Sequence, residues 1–235
     1  MSEPIKVKPL ELNERIFEIE FDDGSKKLAT INLVPGKKVY GERLYRIAGT
    51  EYREWIPYRS KLAGAIMKGI KAVPIKEGEK VLYLGAASGT TPSHISDIVG
   101  EKGIIYSVEF APRVMREFLL VASDRKNLIP IMSDARKPQL YSHIVELVDI
   151  IYADVAQPEQ ASIVVENAKW FLKSRGKIFL AIKARSIDVT KEPTEVYKKE
   201  ISILQENRFE IIDVVHLDPY DKDHAMVLAS YEPGK

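Results

Sequence analysis

The chain has no cysteine, which excludes disulfides, thiolate-bound zinc, cysteine-ligated iron–sulfur clusters and a thiol nucleophile. That absence fits a reducing compartment. No stretch approaches the roughly 18 apolar residues of a membrane span. The opening Met1-Ser2-Glu3-Pro4-Ile5-Lys6 is not a basic start leading into an apolar run, so no secretory leader is read. No membrane partner is expected, and the chain is placed in the cytoplasm. An excess of charge is missing too: 35 Lys and Arg face 34 Asp and Glu, a formal net charge of +1. Neutralising several phosphates takes a clustered basic face, so binding of nucleic acid would depend on a local patch or on a partner. Repeats and low-complexity segments are absent, and 13 Gly with 13 Pro in 235 residues exclude a collagen-like chain. The remainder, 45% apolar and 29% charged, is the composition of a folded chain with a sizeable core.

The hydropathy pattern divides the chain at about residue 56. Residues 1–56 read as a small β-rich unit. Ile16–Phe21 alternates, Asp22-Asp23-Gly24-Ser25 is a turn, Lys27–Val34 returns, and short segments at Leu44–Ile47 and Tyr52–Trp55 flank Gly49. Its core looks too small to stand alone. In residues 57–235 the period changes. Leu62, Ala63, Ile66, Met67 and Ile70 recur at helical spacing behind Ser60 as N-cap, and Pro74 is the expected stop. Strands are then predicted at Lys80–Leu84, Gly103–Val108, Leu128–Met132, Val148–Ala153 and Lys177–Ile182. Helices are predicted between them, for example at Pro112–Ser123 and Gln160–Leu172. Short connections between alternating elements mean right-handed βαβ units and a parallel sheet. The end departs from that rhythm. After a helix at Thr194–Asn207, Phe209–His216 and Ala225–Tyr231 have no helix between them and must form an antiparallel hairpin. Five parallel strands and a terminal hairpin is the α/β, Rossmann-like layout of the class I S-adenosylmethionine methyltransferases.

Several residues fall where such a sheet carries chemistry. In Val81–Thr91 a buried strand runs into a turn of small residues, with Gly85, Ala87 and Gly89, and then into a helix. Small residues let backbone N–H groups approach a ligand, and a helix N-terminus favours negative charge. Glu109 ends the next strand, where doubly wound folds place the acid that holds ribose hydroxyls. These features do not separate a nicotinamide cofactor from S-adenosylmethionine. The hairpin and the missing G-x-G-x-x-G pattern favour the latter. Asp134, after the third strand, is a candidate acceptor for an adenine amino group. Asp154 stands at the carboxyl end of the fourth strand, and Lys183 ends the neighbouring fifth strand, bringing an amine and a carboxylate to one rim. No metal-ligating set is read.

Four stretches carry a family resemblance: Tyr58-Arg59-Ser60-Lys61-Leu62-Ala63, Tyr83–Thr91, Ala153-Asp154-Val155-Ala156-Gln157-Pro158 and Asp223-His224-Ala225. The sequence resembles the archaeal type of fibrillarin, the ribose 2′-O-methyltransferase family of box C/D ribonucleoproteins, over nearly its whole length. The Gly/Arg-rich tail of eukaryotic members is absent from the sequence. The resemblance implies S-adenosylmethionine contacts at Thr90, Thr91, Glu109, Phe110, Asp134, Ala135 and Asp154, Val155, Ala156 and Gln157. It implies a Lys–Asp–Lys–His set at Lys61, Asp154, Lys183 and His224. It further implies assembly with a Nop-family scaffold protein, a kink-turn-binding protein and a box C/D guide RNA that pairs with target rRNA or tRNA.

In that set Lys183 would act as base and Asp154 as the group that orients it. An ordinary lysine with pKa near 10.4 costs about 4.6 kcal/mol to hold neutral at pH 7. A second ammonium, Lys61, at about 5 Å would supply roughly 3 kcal/mol toward that at an effective dielectric near 20. Three rival readings stand beside this one. They are a protein (glutamine) or small-molecule methyltransferase, a nicotinamide-dependent dehydrogenase, and a non-catalytic assembly subunit of a ribonucleoprotein.

Overall fold

A computed structural model describes residues 3–234. The N-terminal strands β1 (Pro4–Leu10), β2 (Asn13–Phe21), β3 (Lys26–Ile31), β4 (Leu44–Ile47) and β5 (Thr50–Glu54) form an antiparallel sheet in the order β1-β2-β3-β5-β4. The Asp22–Ser25 turn closes β2 onto β3, with Gly24 at φ +79° and Phe21 N–H donating to Ser25 O at 2.9 Å. β3 stops at Ile31, short of the expected Val34, where Val34 N–H donates to Asn32 Oδ1 at 3.1 Å in an Asx turn. β1 was not anticipated. It holds Pro4 and Pro9, pairs only with β2 and therefore sits at an edge, where proline is tolerated.

Helix α1 (Lys61–Met67) starts as expected: Ser60 Oγ accepts from Ala63 N–H at 3.4 Å. It ends earlier than the apolar pattern implied. Gly69, at φ +82°, takes the left-handed position and its N–H donates to Ile66 O at 3.0 Å. Met67, the last residue of α1, is half exposed, and the stop is Gly69 rather than Pro74.

The rest of the chain alternates β6 (Lys80–Leu84), α2 (Thr90–Val99), β7 (Ile104–Glu109), α3 (Pro112–Asp124), β8 (Leu128–Met132), β9 (Val148–Ala153), α4 (Gln160–Phe171) and β10 (Leu172–Lys183). Then follow the one-turn α5 (Ala184–Ile187), α6 (Pro193–Glu206), β11 (Phe209–His216) and β12 (His224–Tyr231). The strands order as β11-β12-β10-β9-β6-β7-β8. All neighbours are parallel except β12, which runs antiparallel between β10 and β11. Central strands such as β9, Val-Asp-Ile-Ile-Tyr-Ala, are apolar on both sides because helices cover both faces. Side chains of α1, α2 and α3 fill one apolar cluster and those of α4 and α6 the other.

The N-terminal sheet shares the first of these clusters. Ile16, Leu28 and Trp55 pack with Leu62, Ile95 and Ile98, whereas its far side holds a small apolar cluster of Ile19, Phe21, Ala29 and Tyr52. A buried polar network completes the junction. Asp97 of α2 accepts from Arg53 Nε at 2.9 Å, Arg125 at 2.6 Å, Thr30 Oγ1 at 2.7 Å and Leu33 N–H at 3.0 Å, while Arg53 also reaches Glu42 at 2.6 Å. His94 lies inside it, with Nδ1 2.8 Å from Thr30 Oγ1, Nε2 2.8 Å from Tyr40 OH, and its ring stacked on Trp55 at 4.8 Å.

Burial, followed by the charges of Arg53 and Arg125, holds the His94 imidazole well below its ordinary pKa of 6.5. In the unfolded chain His94 takes up a proton below about pH 6.5, and in the fold it does not, so stability drops as the solution is acidified through that value. Between pH 7.5 and 5.5 the wild type is expected to lose about 1.4 kcal/mol more than His94→Gln. Denaturant midpoints of both proteins at the two pH values measure this. Equal losses would show that His94 is not held neutral.

Candidate active site

The carboxyl ends of β6, β7, β9 and β10 open onto one rim. After β6 the backbone turns at Gly85, whose φ is +83°. A Cβ there would lie 2.6 Å from Asp154 O, so only glycine lets the β6 and β9 turns approach this closely. Ala87 also takes a left-handed conformation, at φ +48°. Its N–H donates to Glu109 Oε2 at 2.9 Å, and Ala111 N–H donates to Oε1 at 2.8 Å. The glycine turn and the acid at the end of β7 are therefore joined directly. They border a cleft of about 260 Å³ that Phe110, Ala135, Asp154, Val155, Ala156, Gln157 and Lys183 also line. Gly85→Ala is expected to reduce methyl-donor affinity at least 30-fold by forcing these turns apart, about 2 kcal/mol of strain and lost contact. Titration calorimetry checks it, and an affinity within threefold of wild type would show that the turn tolerates a side chain.

Not every predicted cofactor residue faces that cleft. Thr90 opens α2 behind the turn. Thr91 is buried, and its Oγ1 lies 2.9 Å from Ser60 Oγ, tying α2 to the start of α1. Asp134 is gripped by Arg136, which donates from Nη2 at 2.8 Å, from Nε at 3.1 Å and from its backbone N–H at 3.0 Å. That arginine holds the Asp134 carboxyl below the usual carboxylate value. Its neighbours Ser133 and Ala135 line the cleft instead. Val108, Ala111 and Val114 line it too. They were not named from the sequence because an apolar residue beside a strand end carries no signal distinguishing it from core.

The charged residues meet beside this cleft. Lys183 Nζ lies 2.8 Å from Asp154 Oδ1 and donates to Asp154 O at 3.0 Å. Lys61 Nζ donates to Asp154 Oδ2 at 3.1 Å. Strand register explains the meeting. β9 and β10 run parallel, with Leu180 beside Ala153, while β10 and β12 place Lys183 opposite His224. Gln160 Oε1 fixes the end of β10 by accepting from Lys183 N–H at 2.9 Å.

Asp221 completes the group and was missed. It lies 3.3 Å from Lys61 Nζ and 3.0 Å from His224 Nδ1. The loop Leu217–Asp223 holds several acids, and nothing in the pattern separates this one from a solvated residue. Its presence changes the charge balance, because Lys61 faces two carboxylates rather than standing as a bare ammonium beside Lys183. Burial opposes the charge on Lys61, yet Asp154 and Asp221 outweigh it and hold the ammonium above its ordinary pKa. Beneath Asp154, Tyr83 and Tyr152 stack at 4.6 Å, and burial pushes both phenols well above their usual value.

Numbered by themselves, the seven strands of the large sheet run 3-2-1-4-5-7-6, and only the seventh is reversed. With the glycine turn after the first strand and the acid ending the second, this architecture defines a class I methyltransferase. The chain belongs to the fibrillarin family, whose profile matches residues 7–233. It is 66% identical to the fibrillarin-like rRNA/tRNA 2'-O-methyltransferase of Staphylothermus marinus, covering 99% of each chain. The crystal structure of Aeropyrum pernix fibrillarin with natively bound S-adenosyl-L-methionine superposes with a TM-score of 0.91 at 59% identity, over 97% of this chain and 100% of that one. A fibrillarin/Nop5p complex structure gives a TM-score of 0.80 at 45% identity, over 88% of this chain and 94% of the other.

Proposed function

We propose that this protein transfers the methyl group of S-adenosylmethionine to the ribose 2′-hydroxyl of rRNA and tRNA nucleotides. The observation that carries the reading is the position of Asp154. It lines both the 260 Å³ cleft and a second pocket of about 200 Å³ bounded by Lys61, Thr91, Tyr220 and Asp221. One carboxylate, with an ammonium on each oxygen, thus stands between a donor site and an acceptor site.

The cleft residues suit this donor. Glu109 offers a carboxylate to ribose hydroxyls, and Gly85 lets the β6 and β9 turns meet at the cleft. Gln157 Oε1 is buried without a hydrogen-bond partner among the described residues, leaving an acceptor for a ligand donor. When bound, S-adenosylmethionine supplies a methyl group on a positively charged sulfur. The remaining work belongs to the side chains. Lys61 and Asp154 hold the acceptor ribose in line with the donor, and such positioning accounts for much of the rate of a displacement. Lys183 takes the 2′-hydroxyl proton only after its own ammonium proton has passed to solvent, and Asp154 holds its Nζ at the border of the donor cleft. Asp221 and His224 fix Lys61 from the other side. Asp221→Asn is expected to slow single-turnover transfer three- to tenfold, matching about 1 kcal/mol for a partly exposed pair, without changing donor affinity. An unchanged rate would leave Asp221 a bystander.

With a net charge of +1, recognition of RNA is delegated to an assembly of a Nop-family scaffold, a kink-turn-binding protein and a box C/D guide RNA. The likeness to a chain seen in complex with Nop5p supports the scaffold. Reconstitution of the four components, with methylation mapped on RNA complementary to the guide, tests the whole reading. Methylation at the guide-selected ribose is expected. A wild-type particle that binds its target and leaves it unmodified would overturn it.

A further inference from the structure

We infer that a groove leading from the acceptor pocket over Arg59 to Lys37 and Lys38 binds the sugar–phosphate backbone of the substrate RNA strand. The inference rests on the reading of the protein as an RNA methyltransferase and adds where the strand runs. The acceptor pocket and a second groove of about 440 Å³ share Arg59 as a common wall, which places them side by side. That groove follows the junction between the N-terminal sheet and the methyltransferase sheet, with Lys37, Lys38 and Tyr40 on one bank and Ser88 and α3 on the other.

Arg59 is presented rather than consumed. It is exposed, its guanidinium lies 5.7 Å from the centre of the Tyr40 ring, and it makes no ion pair among the described residues. A guanidinium stacked on an aromatic ring keeps its planar fork free for a phosphate. The platform beneath it is rigid. Tyr40 OH lies 2.9 Å from Glu54 O and 2.8 Å from His94 Nε2 and accepts from Ile56 N–H at 3.3 Å. The cation is therefore held in place before RNA arrives, which lowers the ordering cost of binding. Lys38 is likewise exposed and unpaired among the described residues. Lys37 pairs with Asp124 at 3.4 Å, both side chains being exposed, so a phosphate competes for it on equal terms. Tyr58, in the same turn as Arg59, is 65% exposed and meets Tyr220 edge-on at 5.0 Å, giving the pocket mouth an aromatic surface for a nucleotide. Glu117 and Asp124 on α3 limit the groove's net charge, which fits a short backbone track rather than independent tight binding.

The N-terminal unit thereby gains a function: its β3–β4 connection supplies Lys37 and Lys38, and through Tyr40 the platform under Arg59, that carry RNA away from the reacting ribose. The test uses the reconstituted particle loaded with S-adenosylmethionine and a fluorescent target whose acceptor nucleotide is 2′-deoxy, so that binding is read without turnover. Target affinity is measured over a salt series for wild type, Arg59→Ala, the double variant Lys37→Ala/Lys38→Ala, and Lys199→Ala on α6 as a control. Arg59→Ala and the double variant are expected to weaken target binding five- to tenfold and to lower the salt slope by about 0.7 to 0.9 per lost phosphate contact. Lys199→Ala and the affinity for S-adenosylmethionine should not change. If both groove variants bind the target within twofold with the wild-type slope, while wild type still methylates, the groove proposal falls and the activity stands. If the loss appears already when guide RNA joins the particle without target, the strand assignment falls. A wild-type particle without methylation would instead fail the activity itself.

Discussion

Lys183→Ala is expected to lower the single-turnover methylation rate by about 10³-fold, within the 10²–10⁴ range of a positioned general base, while donor affinity stays within threefold. The geometry states why one amine carries so much. Lys183 Nζ is held 2.8 Å from Asp154 Oδ1 and 3.0 Å from Asp154 O, at the border of the donor cleft. Alanine removes the amine that, once deprotonated, accepts the proton, and with it one of the two cations paired to Asp154 at rest. A second substitution separates those losses. Lys183→Arg keeps the positive charge beside Asp154 but cannot give up its proton near neutral pH. An arginine variant as slow as the alanine variant marks Lys183 as the base. An arginine variant near the wild-type rate assigns Lys183 to charge placement alone and moves the proton elsewhere. Asp154→Asn should fall between wild type and Lys183→Ala, since it leaves Lys183 in place without its guide.

Most of the sheet was legible because parallel strands buried on both faces announce themselves as apolar runs. β6, β8 and β9 lie where Lys80–Leu84, Leu128–Met132 and Val148–Ala153 were expected. The terminal hairpin followed from a missing helix between two such runs. β1 escaped because its prolines and alternating charges read as irregular chain, and only an edge position makes them compatible with a strand. α1 was read too long, since Ile70 kept the helical period after Gly69 had already turned the chain.

The site was legible in proportion to how much it depends on strand ends. Gly85, Glu109, Asp154 and Lys183 stand at the carboxyl ends of β6, β7, β9 and β10 or in the turns just after, so topology alone brings them to one rim. Lys61 and His224 needed the family resemblance. One opens a helix and the other begins an antiparallel strand, and only register places His224 opposite Lys183. Asp221 had no such support. Neither pattern nor family set it apart, and only the folded loop shows it matching the charge on Lys61. The same limit applies to Arg53 and Asp97, whose types and spacing are those of surface residues and whose burial is created by the docking of two sheets.

Asp97→Asn carries the largest expected cost in stability, and the reason is the company it keeps. Its side chain is fully buried and receives two guanidiniums, Arg53 on Oδ2 at 2.9 Å and Arg125 on Oδ1 at 2.6 Å. Burial already pushes Arg125 below its ordinary pKa, and Arg53 acts in the same direction, so the two cations depend on the carboxylates around them. Asparagine keeps the shape and removes the charge, leaving Glu42 alone to balance both. Breaking a buried pair in this way costs about 3–5 kcal/mol, which lowers Tm by about 6–20 °C in a chain of this size. Scanning calorimetry of the full chain reads it directly. Adding Arg125→Met to Asp97→Asn should recover part of the loss, because an apolar side chain then replaces an unmatched cation. A drop of less than 3 °C in the single variant would mean that water reaches Asp97, and that the N-terminal sheet is held on α2 by its apolar contacts alone.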